Sequence, residues 1–298
     1  MRHIHFILNP IAGSGNNSLD LTLLNKHFNT KDFTIVVKPT SYKKHAVKLT
    51  QDSITENADV IVACGGDGTV NEVASCLVNS TIILGIIPIG SGNGLASNLN
   101  IPKNLNKALA LIKKQPIKKI DVGQLNNHYF FSNTGIGFDA QVIKHYEAAN
   151  KRTLSSYIKA TLKSLRKSNK LIEVETTLNG DIVKQKPFLI FISNSNQMGY
   201  NVSLTPKASL DDGKLDVLIV PKLSFFKIAL FTLLMLIKKH HILKEVEIHQ
   251  TKSIKIIQKK RFFFQTQIDG EFLMIKNNTI EISVLDKALN VIGDLETV

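Results

Sequence analysis

The sequence predicts two domains, an N-terminal α/β domain with a parallel sheet and a C-terminal domain built as an antiparallel β-sandwich. Over the first 120 or so residues, strand and helix patterns alternate, which favours right-handed crossovers and parallel strands. After Pro116 many short apolar runs follow one another with turn residues between them, which is typical of a sandwich. We expect residues 1–122 to form the first domain and 123–298 the second, with about ten final residues returning to the first as one option.

The elements of the first domain follow from hydrophobic spacing. Short apolar or β-branched runs predict strands, and apolar residues three and four apart predict helices. The predicted strands are His3–Leu8, Phe33–Val37, Val60–Ala63 and Ile82–Ile89, and the predicted helices are Leu19–Phe28, Ala46–Ile54 and Leu105–Ile112. A further helical spacing, from Val70 to Leu77, follows the third strand.

The second domain is predicted to be mostly strands. These are Tyr129–Ser132, Ile172–Leu178, Phe188–Ser193, Leu215–Val220, Val246–Ile248, Ser253–Gln258, Arg261–Gln265 and Thr279–Val284. Two helical patterns interrupt them, an amphipathic one from Leu154 to Leu165 and a strongly apolar one from Leu223 to Ile237.

Composition restricts the class of protein. Of the 298 residues, 43% are hydrophobic, which is enough to bury a core and argues against disorder. The 37 Lys and Arg against 24 Asp and Glu give a net charge of +13, which favours anionic partners such as nucleotides, nucleic acid or an acidic membrane. Cys64 and Cys76 match no metal or redox spacing, and the chain shows no signal-peptide pattern or membrane-spanning run. We therefore expect a cytoplasmic protein.

Three glycine-rich turns, Gly13–Gly15, Gly65–Gly68 and Gly90–Gly94, are the strongest candidates for a ligand site. Each follows a predicted strand of the parallel sheet, and ligands of such sheets bind beyond the carboxyl ends of the strands. Glycine lets backbone N–H groups approach a phosphate closely. Asp67 would repel a phosphate, so we expect it to act through Mg²⁺ or on a hydrogen-bond donor; the alternative is that it caps a helix.

Neither of the two common nucleotide fingerprints is complete. The pattern G-x-x-x-x-G-K-[ST] is absent, and the dinucleotide pattern begins at Gly13 without finishing. The second strand ends in Lys38-Pro39-Thr40, which offers no acidic residue for a ribose. A less common kind of nucleotide site is therefore indicated.

Six motifs occur in order along nearly the whole chain, and together they resemble the bacterial diacylglycerol kinase family of lipid kinases, to which the sphingosine kinases are related. They are N-P-I-A-G from Asn9, G-G-D-G-T-V-N-E from Gly65, P-I-G-S-G-N from Pro88, N-T-G-I-G-F-D-A from Asn133, D-D-G-K-L-D from Asp211 and D-G-E from Asp269. G-G-D-G alone is also found in NAD kinases and phosphofructokinases, but six motifs in order are specific. The resemblance implies a nucleotide-binding first domain that uses ATP and Mg²⁺ to phosphorylate diacylglycerol or a related lipid alcohol.

The resemblance also implies roles for individual residues. Glu271 matches the catalytic base, and beside it we expect Asp67, in the second glycine turn, to be catalytic by orienting Mg²⁺. Asp212, with the carbonyl groups of Ser209 and Lys214, matches a structural Mg²⁺ site. The positions that match ATP contacts are Asn9, Pro10, Gly13, Thr40, Gly65, Gly66, Asp67, Gly68, Thr69, Asn71, Glu72, Ser91, Gly92 and Asn93.

One departure from the family pattern leaves the acceptor open. The third turn reads G-S-G-N-G, with Gly94 where the diacylglycerol kinases usually have an acidic residue, and it is closer to the sphingosine kinases. A sphingoid base, or a water-soluble acceptor such as NAD, therefore stays an alternative to diacylglycerol.

The D-G-E motif also has an alternative interpretation. Asp269-Gly270 before Glu271 is a common hairpin signal, so D-G-E could be a turn alone.

Several readings of the partner surfaces stay open. Three interpretations fit the segment Leu223–Ile237: an internal helix of the sandwich, a helix that touches an anionic membrane, or a protein-binding surface. The membrane contact would use the flanking lysines Lys222, Lys227, Lys238 and Lys239. We expect peripheral membrane association, His240 and His241 at the surface, and an oligomeric state that includes a homodimer as one option. No nucleic-acid motif is present, and with no Trp and 7% aromatic residues the chain has few groups for base stacking, so we expect no nucleic-acid partner.

Overall fold

The chain folds as two compact units, each with its own core. The computed structural model describes residues 1–13, 15, 19–149, 153–167, 171–197, 203–260 and 262–294. The first unit comprises Met1–Val122 together with the chain from Asp286 onward, and the second comprises Gly123–Leu285. The strand that begins at Thr279 belongs to both units, because its first residues lie in the second and its last residues in the first.

The first unit is an α/β structure with a parallel sheet, as the sequence predicts. Its strand order is β2-β1-β3-β4, followed by the end of β16, and each of these neighbours is parallel. Its elements are β1 (Arg2–Leu8), α1 (Leu21–His27), β2 (Phe33–Pro39), α2 (His45–Thr55), β3 (Val60–Gly65), α3 (Asp67–Leu77), β4 (Ile83–Pro88), α4 (Gly94–Asn98), α5 (Leu105–Lys114) and β5 (Ile117–Leu125), which ends in the second unit.

Local sequence explains why these elements form where they do. All six residues of β3 are buried, as expected of a central parallel strand covered on both faces. Asp20 caps α1 by accepting from the Thr22 N–H, and Asn104 caps α5 by accepting from the Lys107 N–H. The glycine turns follow β1, β3 and β4, which are neighbours in the sheet, so all three lie at one edge.

The second unit is a β-sandwich, which also confirms the predicted class. A six-stranded antiparallel sheet has the order β12-β11-β10-β7-β14-β15, and a second sheet pairs the start of β16 with β13, β8 and β9. The elements are β6 (His128–Phe130), β7 (Asn133–Gly137), α6 (Phe138–Glu147), α7 (Leu154–Lys167), β8 (Val174–Leu178), β9 (Asp181–Gln185), β10 (Leu189–Ser193), β11 (Leu215–Val220), α8 (Phe225–Leu236), β12 (Glu247–Thr251), β13 (Ser253–Ile257), β14 (Phe264–Ile268), β15 (Glu271–Ile275) and β16 (Thr279–Ile292). Side chains from both sheets, such as Ile192 and Ile256, form one core.

Several predicted boundaries in this unit are wrong. The strand predicted at Arg261–Gln265 begins at Phe264, and Arg261 itself lies outside the described residues, as does Ser14 of the first glycine turn. The last strand continues to Ile292 rather than ending at Val284, because its second half pairs with strands of the first unit. Strands β9 and β15 were not predicted, since their exposed or mixed faces lack a clear apolar run.

The apolar segment after Leu223 is not an internal helix. No residue of α8 is buried, and its residues Ile228, Phe231 and Met235 pack against a second apolar cluster, which includes Phe191 and Leu218 of the six-stranded sheet. The expectation for His240 is also wrong: its ring is fully buried, lies edge-on to Phe231 and has Nε2 2.7 Å from the Leu204 carbonyl oxygen. Hydrophobicity alone could not show which side of α8 the fold covers.

No helix in the described part of the chain combines the length and the apolar character needed to cross a membrane.

Candidate functional site

The three glycine turns of the first unit contact one another through their backbones. A Cβ atom on Gly90 would lie 2.4 Å from the Gly66 Cα atom, so the second and third turns touch where only glycine fits. Gly13 has φ +62°, and a Cβ atom there would lie 2.3 Å from the Ile89 carbonyl oxygen. The glycine turns therefore approach one another closely at this sheet edge, which is an arrangement that suits phosphates.

Asp67 joins the second turn to the third. Its Oδ2 accepts from the Asn93 N–H at 2.8 Å, and its Oδ1 accepts from the Gly94 N–H at 2.7 Å. A Cβ atom on Gly92 would lie 2.6 Å from Oδ2, so the turn can close on the carboxylate only with glycine at that position. Asp67 is in the first turn of α3, yet these bonds reach the start of a different helix. The carboxylate thus acts on backbone donors across the site.

Side chains from the other motifs hold the first and second turns together. The Asn9 side-chain amide donates to Thr69 Oγ1 at 3.2 Å, and Asn9 Oδ1 accepts from the Ile11 N–H at 3.2 Å. The Thr40 N–H donates to the Leu8 carbonyl oxygen at 2.8 Å, which places Thr40 beside the end of β1. Pro10 lies between Asn9 and Ile11 in the same turn.

The remaining positions predicted to contact ATP lie at the same edge. Glu72 Oε1 accepts from the Lys44 N–H at 3.1 Å, and Asn71 Oδ1 accepts from Ser75 Oγ at 3.3 Å. The buried Asn93 side chain donates to the Gly90 carbonyl oxygen at 2.6 Å, and Ser91 is exposed. Within the first unit, the structure therefore brings the predicted set together around the ends of β1, β3 and β4.

Glu271 lies in the second unit, at the first position of β15 after a tight hairpin. It pairs with Ile268, and the two turn residues Asp269 and Gly270 have φ values of 47° and 82°. Positive φ at both central positions is the type I′ hairpin geometry that an Asp-Gly pair favours. D-G-E is therefore a hairpin turn, and that turn fixes where the Glu271 backbone lies.

Asp269 holds this hairpin in place, a role that was not predicted. Its Oδ2 accepts from the Phe131 N–H at 2.9 Å, and its Oδ1 accepts from the Ser132 and Asn133 N–H groups at 2.8 and 3.1 Å. A carboxylate that accepts several backbone N–H bonds forms strong, charge-assisted contacts. The aspartate of the D-G-E motif was the sequence signal that could have indicated this anchor.

Two further side chains hold the backbone on either side of Glu271. Gln267 Oε1 accepts from the Gly270 N–H at 2.8 Å, and its amide nitrogen donates to Asn133 Oδ1 at 2.7 Å. Glu147, at the end of α6, accepts from the Phe272 N–H at 3.0 Å. Nothing in the sequence near Glu147 indicates this contact, because the two residues are 125 positions apart.

A buried carboxyl group lies beside this network. Asp139, in the first turn of α6, is 5% exposed, and its Oδ2 has no hydrogen-bond partner among the described residues. Burial raises the pKa of Asp139 to about 6, and the hydrogen bond with Gln267 opposes part of that rise. The group therefore titrates near pH 6, and it contacts Gln267 of β14.

A Mg²⁺ ion that ATP brings with it would need oxygen ligands close to the glycine turns, where Asp67 supplies a carboxylate. Mg²⁺ prefers oxygen ligands and is commonly held by one or two carboxylates together with substrate phosphates. Within the described ranges, no group of three or more His, Cys, Asp or Glu side chains could hold a metal unaided. Asp67 suits the role of a single protein carboxylate in such a set.

The predicted structural metal site is a surface turn before β11. Asp212 is exposed, and its Oδ1 accepts from the Lys214 N–H at 3.0 Å. The Ser209 hydroxyl donates to Asp211 Oδ1 at 2.7 Å. The turn thus holds its shape through its own hydrogen bonds and presents oxygen atoms, which are the ligand type that Mg²⁺ accepts.

Comparison with known families gives two adjacent matches. The diacylglycerol kinase catalytic domain matches residues 3–125. The domain described as the YegS C-terminal NAD kinase beta sandwich-like domain matches residues 132–293. Together they cover nearly all of the chain, in the order that the fold shows.

Similar proteins agree with these matches. The chain is 27% identical to a diacylglycerol kinase of Bacillus subtilis over 281 residues, covering 91% of this chain and 90% of the relative. It is 30% identical to a diacylglycerol kinase of Staphylococcus aureus over 224 residues, covering 73% of this chain and 69% of the relative. A solved structure of a proposed diacylglycerol kinase from Bacillus anthracis strain Sterne has a TM-score of 0.78 at 25% identity, and covers 100% of this chain and 97% of that chain. The chain therefore belongs to the diacylglycerol kinase family of bacterial lipid kinases, and it is a kinase.

Proposed function

We propose that this kinase transfers the γ-phosphoryl group of ATP to the hydroxyl group of diacylglycerol or a related lipid alcohol. The observation that supports this most is the meeting of three glycine turns around Asp67, which offers backbone N–H groups to a polyphosphate. The relatives named as diacylglycerol kinases support the class of acceptor.

In the proposed reaction, the bond between the γ-phosphorus and the oxygen it shares with the β-phosphate breaks, and a bond forms between that phosphorus and the lipid hydroxyl oxygen. Glu271 accepts the proton that the hydroxyl loses, and ADP leaves with the bonding electron pair. The glycine turns orient the phosphates, and Asp67 keeps the second and third turns in register. A bound Mg²⁺ ion supplies neutralising charge for the phosphates.

The acceptor is the finer part of the proposal. Diacylglycerol is favoured by the names of the relatives, whereas the third turn G-S-G-N-G resembles the sphingosine kinases. NAD is the water-soluble alternative. A lipid acceptor lies in a bilayer, so we also propose that the protein works at a membrane surface. Its net charge of +13 attracts the protein to membranes that contain anionic lipid.

Incubation with γ-labelled ATP, Mg²⁺ and separate acceptors tests the reaction. Diacylglycerol and sphingosine would be presented in mixed micelles, and NAD in solution. We expect a labelled lipid phosphate from diacylglycerol, with little label on the other two. Preferential labelling of sphingosine or NAD would show that the proposed acceptor is wrong but the reaction type is right. No label on any of the three would contradict the whole proposal.

Replacing Glu271 by Gln tests the proposed base. The amide keeps the shape of the side chain but cannot take the proton, so we expect turnover to fall about 10²- to 10⁴-fold with little change in the KM for ATP. Glu247→Gln, which removes an exposed carboxylate from β12 of the same unit, is the matched control and should keep full activity. Turnover of the Glu271 variant within a few-fold of wild type would assign the base elsewhere.

We also propose that Asp212, with the carbonyl groups of Ser209 and Lys214, holds a structural Mg²⁺ ion. The support is the family pattern and the oxygen-rich turn that these residues form. Mg²⁺ should then raise the melting temperature of the wild type without ATP, and Asp212→Ala should remove that rise. An equal rise in both proteins would exclude this site.

A further inference from the structure

One side of α8 is an exposed apolar surface that the proposed function has not yet used. Phe226 is 83% exposed, and five more apolar residues on the same side are also exposed to solvent. On a helical wheel these six residues form one continuous arc, which we call the apolar face of α8: Phe225, Phe226, Leu230, Leu233, Leu236 and Ile237. An apolar surface of this extent on a folded protein marks a binding site for another apolar surface.

The opposite side of the same helix explains why α8 is held rigidly while exposing this face. Ile228, Phe231 and Met235 lie on that opposite side and pack against the apolar cluster that includes Phe191 and Leu218 of the six-stranded sheet. Near the start of α8, the Lys227 ammonium group forms an ion pair with Glu245. The helix is therefore fixed on the β-sandwich, and its outward apolar face is presented by the fold itself.

The charges around α8 indicate what kind of partner surface covers the apolar face of α8. No Asp or Glu occurs between Pro221 and Lys244, whereas exposed Lys222 precedes the helix and exposed Lys238 and Lys239 follow it. Among the described residues, neither Lys238 nor Lys239 forms an ion pair with a carboxylate. An apolar strip with basic ends matches the acyl chains and the negative headgroups of an anionic bilayer.

We propose that the apolar face of α8 inserts into the interface of an anionic bilayer, with the helix parallel to the membrane plane. With 12 residues the helix is about 18 Å long, which is too short to span a bilayer but suits the interface. The inference rests on the proposed function in one respect, because an acceptor lipid requires the enzyme to reach a membrane. It identifies the surface that makes this contact.

Vesicle binding without ATP tests the inference independently of the kinase reaction. Wild-type protein would be sedimented with vesicles of phosphatidylcholine, with and without phosphatidylserine, at low and at high salt. We expect binding that needs phosphatidylserine and weakens with salt. Phe226→Ser should weaken this binding at least about tenfold, because an apolar ring would no longer be buried.

Two matched controls separate the local surface from general effects. Phe262→Ser alters another phenylalanine of the second unit that is 81% exposed, and it should bind as wild type does. The double variant Lys238→Gln/Lys239→Gln should bind about 25-fold more weakly, at about fivefold per lysine. Lys113→Gln/Lys114→Gln removes the same charge from α5 and should have a small effect. If the two phenylalanine variants lose vesicle binding equally, or if the two double lysine variants do, the inference is overturned.

Failure of this inference and failure of the proposed function give different results. If vesicle binding is unchanged in Phe226→Ser while diacylglycerol is still phosphorylated in mixed micelles, only the assignment of α8 is wrong. If the variants lose vesicle binding as expected but no acceptor is phosphorylated, the surface stands and the proposed reaction fails. Sedimentation velocity without lipid completes the test, because a wild-type dimer that Phe226→Ser dissociates would assign the face to a second copy of the chain.

Discussion

At the scale of single residues, Asp67 shows how one carboxylate can organise glycine turns that we propose bind phosphates, which the carboxylate alone would repel. Both of its oxygens accept backbone N–H groups from the third glycine turn, at Asn93 and Gly94. Those bonds fix the direction of the third turn. Gly94, the departure from the family pattern, thus contributes a backbone donor to Asp67.

Asp67→Ala should lower turnover at least about 100-fold, because the second and third turns would lose the bonds that align them. We expect only a modest fall in melting temperature, since the residue is half-buried and its loss opens no core cavity. Asp59→Ala is the matched control: Asp59 also accepts a backbone N–H, from His3 at 2.8 Å, but lies at the opposite end of the sheet. If Asp67→Ala lowers the melting temperature while activity is kept, the residue is only structural.

Asp139 gives a pH dependence whose sign can be stated. Burial raises its pKa from 3.8 to about 6, so between these values the unfolded chain releases this proton while the folded chain keeps it. The folded state therefore loses stability from this group as the pH rises from about 4 to about 6. The full stabilisation is present only below the unfolded pKa.

Asp139→Asn should remove this effect, because the amide does not titrate. We expect the melting temperature of the variant, relative to wild type, to increase between pH 4 and pH 6 and then to level off. Taking the difference between the two proteins cancels other titrating groups, such as Asp216, whose pKa burial also raises to about 6. A difference that does not vary with pH would show that burial does not raise the pKa of Asp139.

At the scale of elements, the β14–β15 hairpin is an anchored support for Glu271. Asp269 bonds three successive N–H groups before and at the start of β7, Gln267 holds Gly270, and Glu147 of α6 holds Phe272. Backbone groups on both sides of Glu271 are therefore fixed by side chains. As the proposed base, Glu271 would therefore keep its position between turnovers, which is what general base catalysis needs.

Two substitutions at Asp269 should separate positioning from folding. Asn tolerates the positive φ of this position and keeps one acceptor oxygen, whereas Ala does neither. We expect kcat to fall in the order wild type, Asp269→Asn, Asp269→Ala, while the KM for ATP stays constant. Steady-state kinetics checks this, and a KM for ATP that rises in parallel with the loss of kcat would indicate general disruption of the fold.

At the scale of the whole molecule, the proposed reaction assigns nucleotide binding and base chemistry to different units. The glycine turns lie in the first unit, and Glu271 lies in the second. A ligand that binds only the folded state stabilises it by about 2.7 kcal/mol at 100 times its Kd. Variants of the two units should therefore differ in their response to ATP.

ATP with Mg²⁺ should raise the melting temperature of the wild type by about 5–10 °C at 100 times the Kd. Glu271→Gln should show the same rise, because the substitution leaves the glycine turns intact. Asp67→Ala should show a smaller rise at the same ATP concentration. Thermal unfolding with and without nucleotide measures all three, and a rise lost in Glu271→Gln but kept in Asp67→Ala would reverse the assignment.

Fold class and the location of the glycine turns could be predicted from the sequence because both depend on local patterns. A strand covered on both faces, such as β3, is a continuous apolar run, and helices show their spacing over a few turns. The motifs follow directly after strands, and parallel strands place their carboxyl ends at one edge. The candidate nucleotide-binding residues were therefore found from spacing and family pattern alone.

Contacts between distant segments needed the tertiary structure. Asp67 and Gly94 are 27 positions apart, and Asp269 and Phe131 are 138 apart, so no local pattern joins them. The same holds for burial: the sequence leaves α8 open as a core helix, a membrane-touching helix or a protein-binding surface, and the fold shows that only one of its sides is covered. His240 was predicted at the surface, but the fold buries its ring beside Phe231. Hydrophobicity indicates that a residue gains from leaving water, but only packing decides which residues do.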